Sequence, residues 1–337
     1  MKGLKPLFTP KSKIIKQNTE IKPYSPTPSL KETSYSTAFE HITFLSIADP
    51  DYETLDNINR KYNFHHLAIE DCLSEFQRSK LEQYDDYLHL ILQLPIYEKE
   101  LVVVAEVNIF VSESYLVLVH WSNLAHLEYF INSVIHEQRT RKECMEKGTG
   151  YLLYKIIDLL VLNSFPLLDM VEKRIRIIEN KIFDESRHDD KKIVREIAKT
   201  RRDIMSFHRI IKPEISVISL LERIKDKFII IPELELYFGD IVDYVSKQWE
   251  IITDLNDLII NLNNTNESLI SVRANNIMKT LTVMSVIILP LTLISGIYGM
   301  NIRLPVSEFK YAFEIIILFM VVSTIFMLSF FKRKRWI

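Results

Sequence analysis

Two apolar runs near the carboxyl end constrain this chain more than any other feature. From Ile277 to Asn301 the sequence reads IMKTLTVMSVIILPLTLISGIYGMN, with no charged side chain after Lys279. At helical rise about 20 such residues cross the hydrocarbon of a bilayer. A second run, Phe313 to Phe331, follows a short polar link, and the sequence closes with Lys332, Arg333, Lys334, Arg335, Trp336 and Ile337. A basic cluster with an aromatic anchor belongs on the cytoplasmic side of a membrane. Two spans return a chain to its starting side, so the region before Ile277 is expected in the cytoplasm with both termini. Only about a dozen residues around Asn301 are then expected outside.

The first run is sided. At about 100° per residue, Asn275, Met278, Leu281, Thr282, Ser285, Leu289, Thr292 and Gly296 share one face, spaced by three and four. Small and hydroxyl residues on a membrane helix serve either as a packing surface or, when several copies surround an axis, as a pore wall. Pro290 removes one backbone donor within the run, so a bend is expected there. At its end Gly299 is expected to let the helix stop and expose carbonyls, and Asn301 adds a neutral side-chain carbonyl at the water boundary.

The order Asn275, Met278-Lys279, Leu281-Thr282, Pro290-Leu291-Thr292, then Gly296 to Asn301 ending in Tyr-Gly-Met-Asn, with a second span and a Lys-Arg-Lys-Arg-Trp tail, resembles the CorA family of divalent-cation channels. The resemblance implies a funnel-shaped homo-oligomer, a pentamer, whose first spans line the pore. It implies a selectivity filter of Gly299, Met300 and Asn301, with Mg2+ both transported and regulatory and Co2+ as a further cargo. The family's paired acidic sensor positions fall on Glu98 and Asp240, where Mg2+ bound between cytoplasmic domains would hold the channel closed. Carboxylates bridged by a hard dication repel once it leaves. Lys332, Arg333, Lys334 and Arg335 would ring the cytoplasmic mouth. The outer link carries Arg303 and Lys310 beside Glu308 and is less acidic than the family's loops, which implies weaker capture of cations by field attraction.

Composition and motifs exclude several other classes. The 337 residues hold 42 Lys+Arg against 44 Asp+Glu, a net charge of -2, which gives no footprint for a nucleic-acid partner. Only 6 glycines occur, and neither a Gly-x-x-x-x-Gly-Lys loop nor a Gly-x-Gly-x-x-Gly fingerprint is present, so no organic cofactor is expected. Cys72 and Cys144 stand far apart without metal-ligand spacing. No nucleophile, base and orienting group recur at a recognisable spacing, so the chain is not read as an enzyme.

The remaining chain reads as a soluble α/β domain followed by long helices. Residues 1–37, rich in lysine, proline, serine and threonine without a signal-peptide core, are expected to be a disordered basic tail. Residues 38–147 form the expected cytoplasmic α/β domain, with strands in HITFLSI, YLHLILQLPIY, LVVVAEVNIFVS and SYLVLVHW, and helices from near Asp51, near His65 and after Trp121. His65, His66, Glu70 and Asp71 have helical metal-site spacing but no third ligand group, and read better as a helix surface.

Residues 148–233 are expected as antiparallel long helices, one over Tyr151–Ile182 and one bent at Pro213. Residues 234–276 form a stalk helix continuing into the first span at 277–299. An apolar seam of Trp249, Ile252, Leu255, Ile259, Leu262, Leu269 and Val272 holds that stalk, and Asn261, Asn263, Asn264 and Asn266 mark a polar face or a hydrated throat. The outer loop is 300–312, the second span 313–331 and the basic cytoplasmic tail 332–337, in a multi-pass protein of the cell (inner) membrane. The function expected is passive, membrane-potential-driven uptake of hydrated divalent cations. The alternatives are a zinc-transporting relative, or a non-conducting membrane-anchored scaffold or sensor.

Overall fold

The computed structural model describes residues 34–74, 77–121, 124–184, 190–224, 234–300, 311–334 and 336. Its amino-terminal part is built on a six-stranded sheet of β1 (Ser34–Phe39), β2 (Ile42–Ala48), β3 (Lys80–Gln83), β4 (Leu88–Glu98), β5 (Leu101–Val111) and β6 (Tyr115–His120). The order is β1-β2-β6-β5-β4-β3, with β2 and β6 parallel and the other neighbours antiparallel. Strand β1 begins within the expected basic tail and corrects its end: Ser34 to Thr37 are paired with Phe44 to Ile47. Backbone pairing outweighs the polar composition of SYSTAF there.

Both faces of the sheet are covered, so its strands read as nearly continuous apolar runs. Alternation still sorts them. Leu88, Leu90, Leu92, Val107, Ile109, Leu116 and Leu118 join the large core beneath the helices, whereas Ile47, Phe110, Val117 and Val119 join a smaller core. That smaller core lies under α1 (Tyr52–Tyr62) and α2 (His66–Leu73), which supply Leu55, Ala68, Ile69 and Cys72. Helix α1 starts where expected because Asp51 Oδ1 accepts from Thr54 N at 2.8 Å. His65 proves to be the N-cap of α2, its Nδ1 accepting from Leu67 N at 3.3 Å, which occupies it structurally.

The other face meets α3 (Ala125–His136), α4 (Gln138–Met145), α5 (Thr149–Leu162), α6 (Phe165–Phe183) and α7 (Asp190–Arg223). The single helix expected over Tyr151–Ile182 is two, separated at Asn163 and Ser164. Pro166, whose nitrogen has no hydrogen to donate, takes the second position of α6, and the Asn163 side-chain amide donates to Leu159 O at 2.8 Å. Helix α7 runs through Pro213 without interruption.

Helix α8 spans Leu234–Tyr298, 65 residues, and α9 spans Ala312–Arg333. The stalk and first span are thus one rod. Its seam against the bundle begins earlier than expected, with Phe238, Ile241 and Val245, continues through Ile252, Leu255, Ile259 and Leu262, and has Trp249 and Leu269 at its margin. Val272, expected in the seam, is 54% exposed. The bundle ends at that height: Asp190, the first residue of α7, meets Arg273 at 3.2 Å. Asn266 is buried, and Asn263 donates to Glu267 Oε1 at 2.8 Å.

Sheet and bundle are locked by Asp203 of α7. Its carboxylate is fully buried, accepts from Val102 N at 3.1 Å and pairs with Arg174 of α6, which also donates to Tyr97 Oη at 3.1 Å. Removing it strands a strand amide and a guanidinium together. Asp203→Ala is expected to cost about 3 kcal/mol, read as a lower unfolding midpoint of the detergent-purified protein. Asp203→Asn, which keeps an acceptor for Val102, is expected to cost less.

Candidate functional site

Only α8 and α9 among the described helices pair an apolar surface with the lack of a covering layer. Among the described residues three helical stretches are long and apolar enough to cross a membrane: Thr149–Phe183, Leu236–Tyr298 and Phe313–Arg333. In the first, half of the apolar window is buried inside the fold, against 6% and 0% in the others. The first owes its apolarity to the core beneath the sheet and is broken at Ser164, as α5 and α6 require.

Helix α9 packs on α8, and the contact sorts the residues of α8 by face. Val283 is buried and Ile287, Pro290, Leu291 and Ile294 are half-buried. At about 100° per residue these five cluster on one side. Asn275, Met278, Leu281, Thr282, Ser285, Leu289, Thr292 and Gly296 fall on the opposite side, and all eight are exposed. The intramolecular partner α9 therefore leaves the stripe free. An added Cβ at Gly296 meets nothing within 4 Å, so within one chain no helix crowds that position.

The hydroxyls of the stripe are turned in a consistent way. Thr282 donates to Met278 O at 2.8 Å, Ser285 to Leu281 O at 2.9 Å and Thr292 to Ile288 O at 2.9 Å. Each proton is spent on the helix's own carbonyl, four residues back. The oxygens keep lone pairs outward and offer acceptors to whatever faces them. Met278, Leu281 and Leu289, 59%, 59% and 75% exposed, interleave apolar rungs with these acceptors.

At the outer end Gly299 N donates to Ser295 O at 2.9 Å and Met300 N to Ile297 O at 3.3 Å. Helix α8 ends at Tyr298, directly before Gly299, and it does so without a left-handed glycine there, since Gly148 is the positive-φ glycine among the described residues. Gly299 is instead a place of close approach: a Cβ would lie 3.1 Å from Ser295 O. Asn301 and the link through Lys310 lie outside the described residues, as does Arg335. Lys332, Arg333 and Lys334 close α9 as exposed cations, and Trp336 packs on Phe331 with ring centres 5.8 Å apart.

The acidic positions lie apart within one chain. Glu98 ends β4 at a two-residue turn whose central residues, Lys99 and Glu100, have φ of 48° and 65°. Such left-handed backbone costs a non-glycine residue some strain. Lys199 of α7 grips Glu100 at 2.6 Å, and Lys99 stands 3.8 Å from the exposed Glu98. Asp240 is exposed on α8, and no ion pair or hydrogen bond joins it to Glu98 among the described residues.

Its acidic neighbour is Asp158 of α5, a residue that sequence reading missed. Burial raises the Asp158 pKa above the usual carboxylate range, Lys155 opposes the rise and Asp240 adds to it. The signal available was an acid within the apolar face of YKIIDLLVL. Asp158 and Asp240 thus feel each other's charge, while Glu98 stands as a separate surface acid.

The chain matches the family model described as "CorA-like Mg2+ transporter protein" over residues 39–333. It is similar to the putative metal ion transporter YfjQ of Bacillus subtilis, 34% identical over 82% of this chain and 83% of that protein. It is also similar to the cobalt/magnesium transport protein CorA of Thermotoga maritima, 27% identical over 85% and 80%. Among solved structures, the CorA magnesium transporter of Methanocaldococcus jannaschii shares the fold, with a TM-score of 0.77, 22% identity, and coverage of 92% of this chain and 95% of that one. An α/β domain feeding long helices and apolar carboxyl-terminal helices is the fold shared with that structure, and the family match over most of the chain makes it a membrane transport protein. The chain belongs to the CorA family of divalent-cation transporters, whose members are not enzymes.

Because among the described residues the stripe hydroxyls bond only within α8, their loss is expected to leave assembly and stability unmoved. Thr282→Val and Ser285→Ala should each shift the stability of the purified protein by less than about 1 kcal/mol. A change well beyond that in thermal unfolding would identify these hydroxyls as packing bonds between helices.

Proposed function

We propose that the chain is a subunit of a homo-oligomeric channel, a pentamer, that admits hydrated Mg2+, with Co2+ as a second cargo, down the membrane potential. The observation that carries this reading is the exposed stripe of α8, which faces away from α9 and combines outward oxygen acceptors with apolar rungs. One helix cannot enclose a path, so copies of α8 surround the axis. In that arrangement 277–299 lines the pore, 313–331 is the lipid-side span, 300–312 is the outer loop, and 332–337 lies at the cytoplasmic mouth with both termini inside.

The chemistry suits a cation that keeps its water. Mg2+ sheds its octahedral shell reluctantly. Gly299, Met300 and Asn301, repeated around the axis, would present neutral carbonyl acceptors to that shell, and the lone pairs of Thr282, Ser285 and Thr292 continue the row inward. No carboxylate occupies the stripe, so a dication is not trapped by charge. Met278, Leu281 and Leu289 form constrictions that close by expelling water. Inward movement of two charges gains about 4.6 kcal/mol per 100 mV.

Regulation acts through the rod. The cytoplasmic domain, 38–147, and the helices of 148–233 grip the stalk, 234–276, so a change at Asp240 is carried by an unbroken helix to Met278. Mg2+ bridging Asp240 and Asp158 of one subunit to Glu98 of the next would hold the ring closed, and its loss leaves the acids to repel one another.

The direct test is Mg2+ entry into liposomes with low internal Mg2+ and an inside-negative potential. Wild-type flux that falls at least about tenfold in Asn301→Ala, while the oligomer survives intact, is the expected result for loss of a filter contact. Wild-type liposomes without flux would leave the membrane helices as a tether. Competition by Co2+ and Zn2+ in the same assay ranks the cargo.

A further inference from the structure

On the sheet face covered by α1 and α2, far along the chain from the membrane helices, three ligand groups converge from three elements. Asp71 of α2, Glu82 of β3 and His89 of β4 place one ligand atom each within 4.8 Å of the others. They are invisible as a set in the sequence because β3 and β4 bring Glu82 opposite His89 only through antiparallel register.

His89 is the most deeply buried of the three. Its side chain is fully buried, stacked on Phe110 with ring centres 4.4 Å apart, and its Nε2 lies 3.1 Å from Asn108 Oδ1. The Asn108 amide is oriented in turn, Nδ2 donating to Glu106 Oε1 at 2.9 Å, while Glu106 Oε2 accepts from Gln77 N at 2.5 Å. This chain leaves Asn108 Oδ1 as an acceptor, so Nε2 holds the imidazole proton and Nδ1 presents a lone pair. Among the described residues that Nδ1 is buried without a hydrogen-bond partner, and it points at Glu82 Oε2, 3.7 Å away. A lone pair buried against a carboxylate is costly unless a cation stands between them.

Part of that cation's place is taken by a tethered one. Lys80 Nζ sits 2.7 Å from Asp71 Oδ2 and 2.9 Å from Glu82 Oε1. Its side chain is 34% exposed, so a path into water lies open to it without crossing the core. We propose that Asp71, Glu82 and His89 Nδ1 form a binding site for Zn2+ or a similar borderline divalent cation, with Lys80 as its built-in competitor. One nitrogen and two carboxylates suit zinc in a tetrahedral site with water as the fourth ligand, whereas Mg2+ prefers oxygen alone. The bond from His89 Nε2 to Asn108, backed by Glu106, is the outer shell that orients a metal-bound imidazole. Occupancy ties α2 to the β3–β4 edge, and β3 also contacts α7. The site thus gives the cytoplasmic domain a means of sensing a second metal, separate from the Asp158 and Asp240 acids, and does not rest on the transport reading.

Zn2+ binding to the full-length, chelator-stripped protein in detergent tests this, by equilibrium dialysis with metal analysis and by the visible absorption of Co2+ as a probe. One Zn2+ per chain that excess Mg2+ does not displace is expected. Binding should weaken by about tenfold or more in Glu82→Gln and in His89→Gln, and tighten in Lys80→Met. Glu82 lies partly in solvent, so its variant keeps the test open if the buried histidine variant fails to fold. Zn2+ retained equally by wild type and Glu82→Gln, displaced by Mg2+, or absent even from Lys80→Met would overturn the site.

Discussion

The seam between α7 and α8 is the contact on which the rest of the molecule depends. Phe238, Ile241, Val245, Ile252, Leu255, Ile259 and Leu262 are buried along one side of α8, and the helix then leaves the soluble core without a break. A 65-residue helix is about 98 Å long at 1.5 Å per residue. Without the seam such a rod would be an apolar span on a flexible leash. With it, the sheet, the bundle and the membrane face of α8 share one rigid reference, and Asp203 ties the strand end at Val102 into the same frame.

The membrane part follows from an economy of surfaces. Helix α9 covers the side of α8 that holds Val283 and Pro290, and it leaves the side that holds Thr282, Ser285 and Thr292. In lipid there is little hydrophobic drive to cover the exposed side, so what fills it is set by small residues and polar acceptors. The back-bonded hydroxyls already satisfy their own protons, which removes the usual reason for such groups to seek a neighbouring helix. On the proposed reading, this face of acceptors and apolar rungs passes a hydrated cation rather than holding it.

Much of this was readable in advance because the signals are local. The two apolar runs, the strands of HITFLSI and YLHLILQLPIY, and the helix starts at Asp51 and His65 each carry their period or cap within a few residues. Strands β1 and β3 were not readable: SYSTAF and KLEQ are edge segments made strands by their partners, and the charges of KLEQ are of the kind by which sheet edges avoid sticking. The break at Ser164 was hidden because α5 and α6 keep one apolar pattern across it, and Pro166 was the overlooked cue. Val272 looked like seam because periodicity does not reveal where a partner helix ends. Asp158 beside Asp240, and His89 beside Glu82, depend on tertiary register that no spacing rule encodes.

The claim that the stripe of α8 is the wall of an ion path is tested most directly by where a water-borne cation can reach. Single cysteines at Thr282, Ser285 and Thr292, and at the α9-facing Ile287 and Ile294, would be exposed in liposomes to a cationic thiol reagent while Mg2+ entry is followed. Cys72 and Cys144 are both buried and should stay silent. The account predicts that modification on the stripe blocks Mg2+ entry and that cysteines at Ile287 and Ile294 are unreactive. Equal reactivity on both faces, or block only from the α9 side, would contradict it.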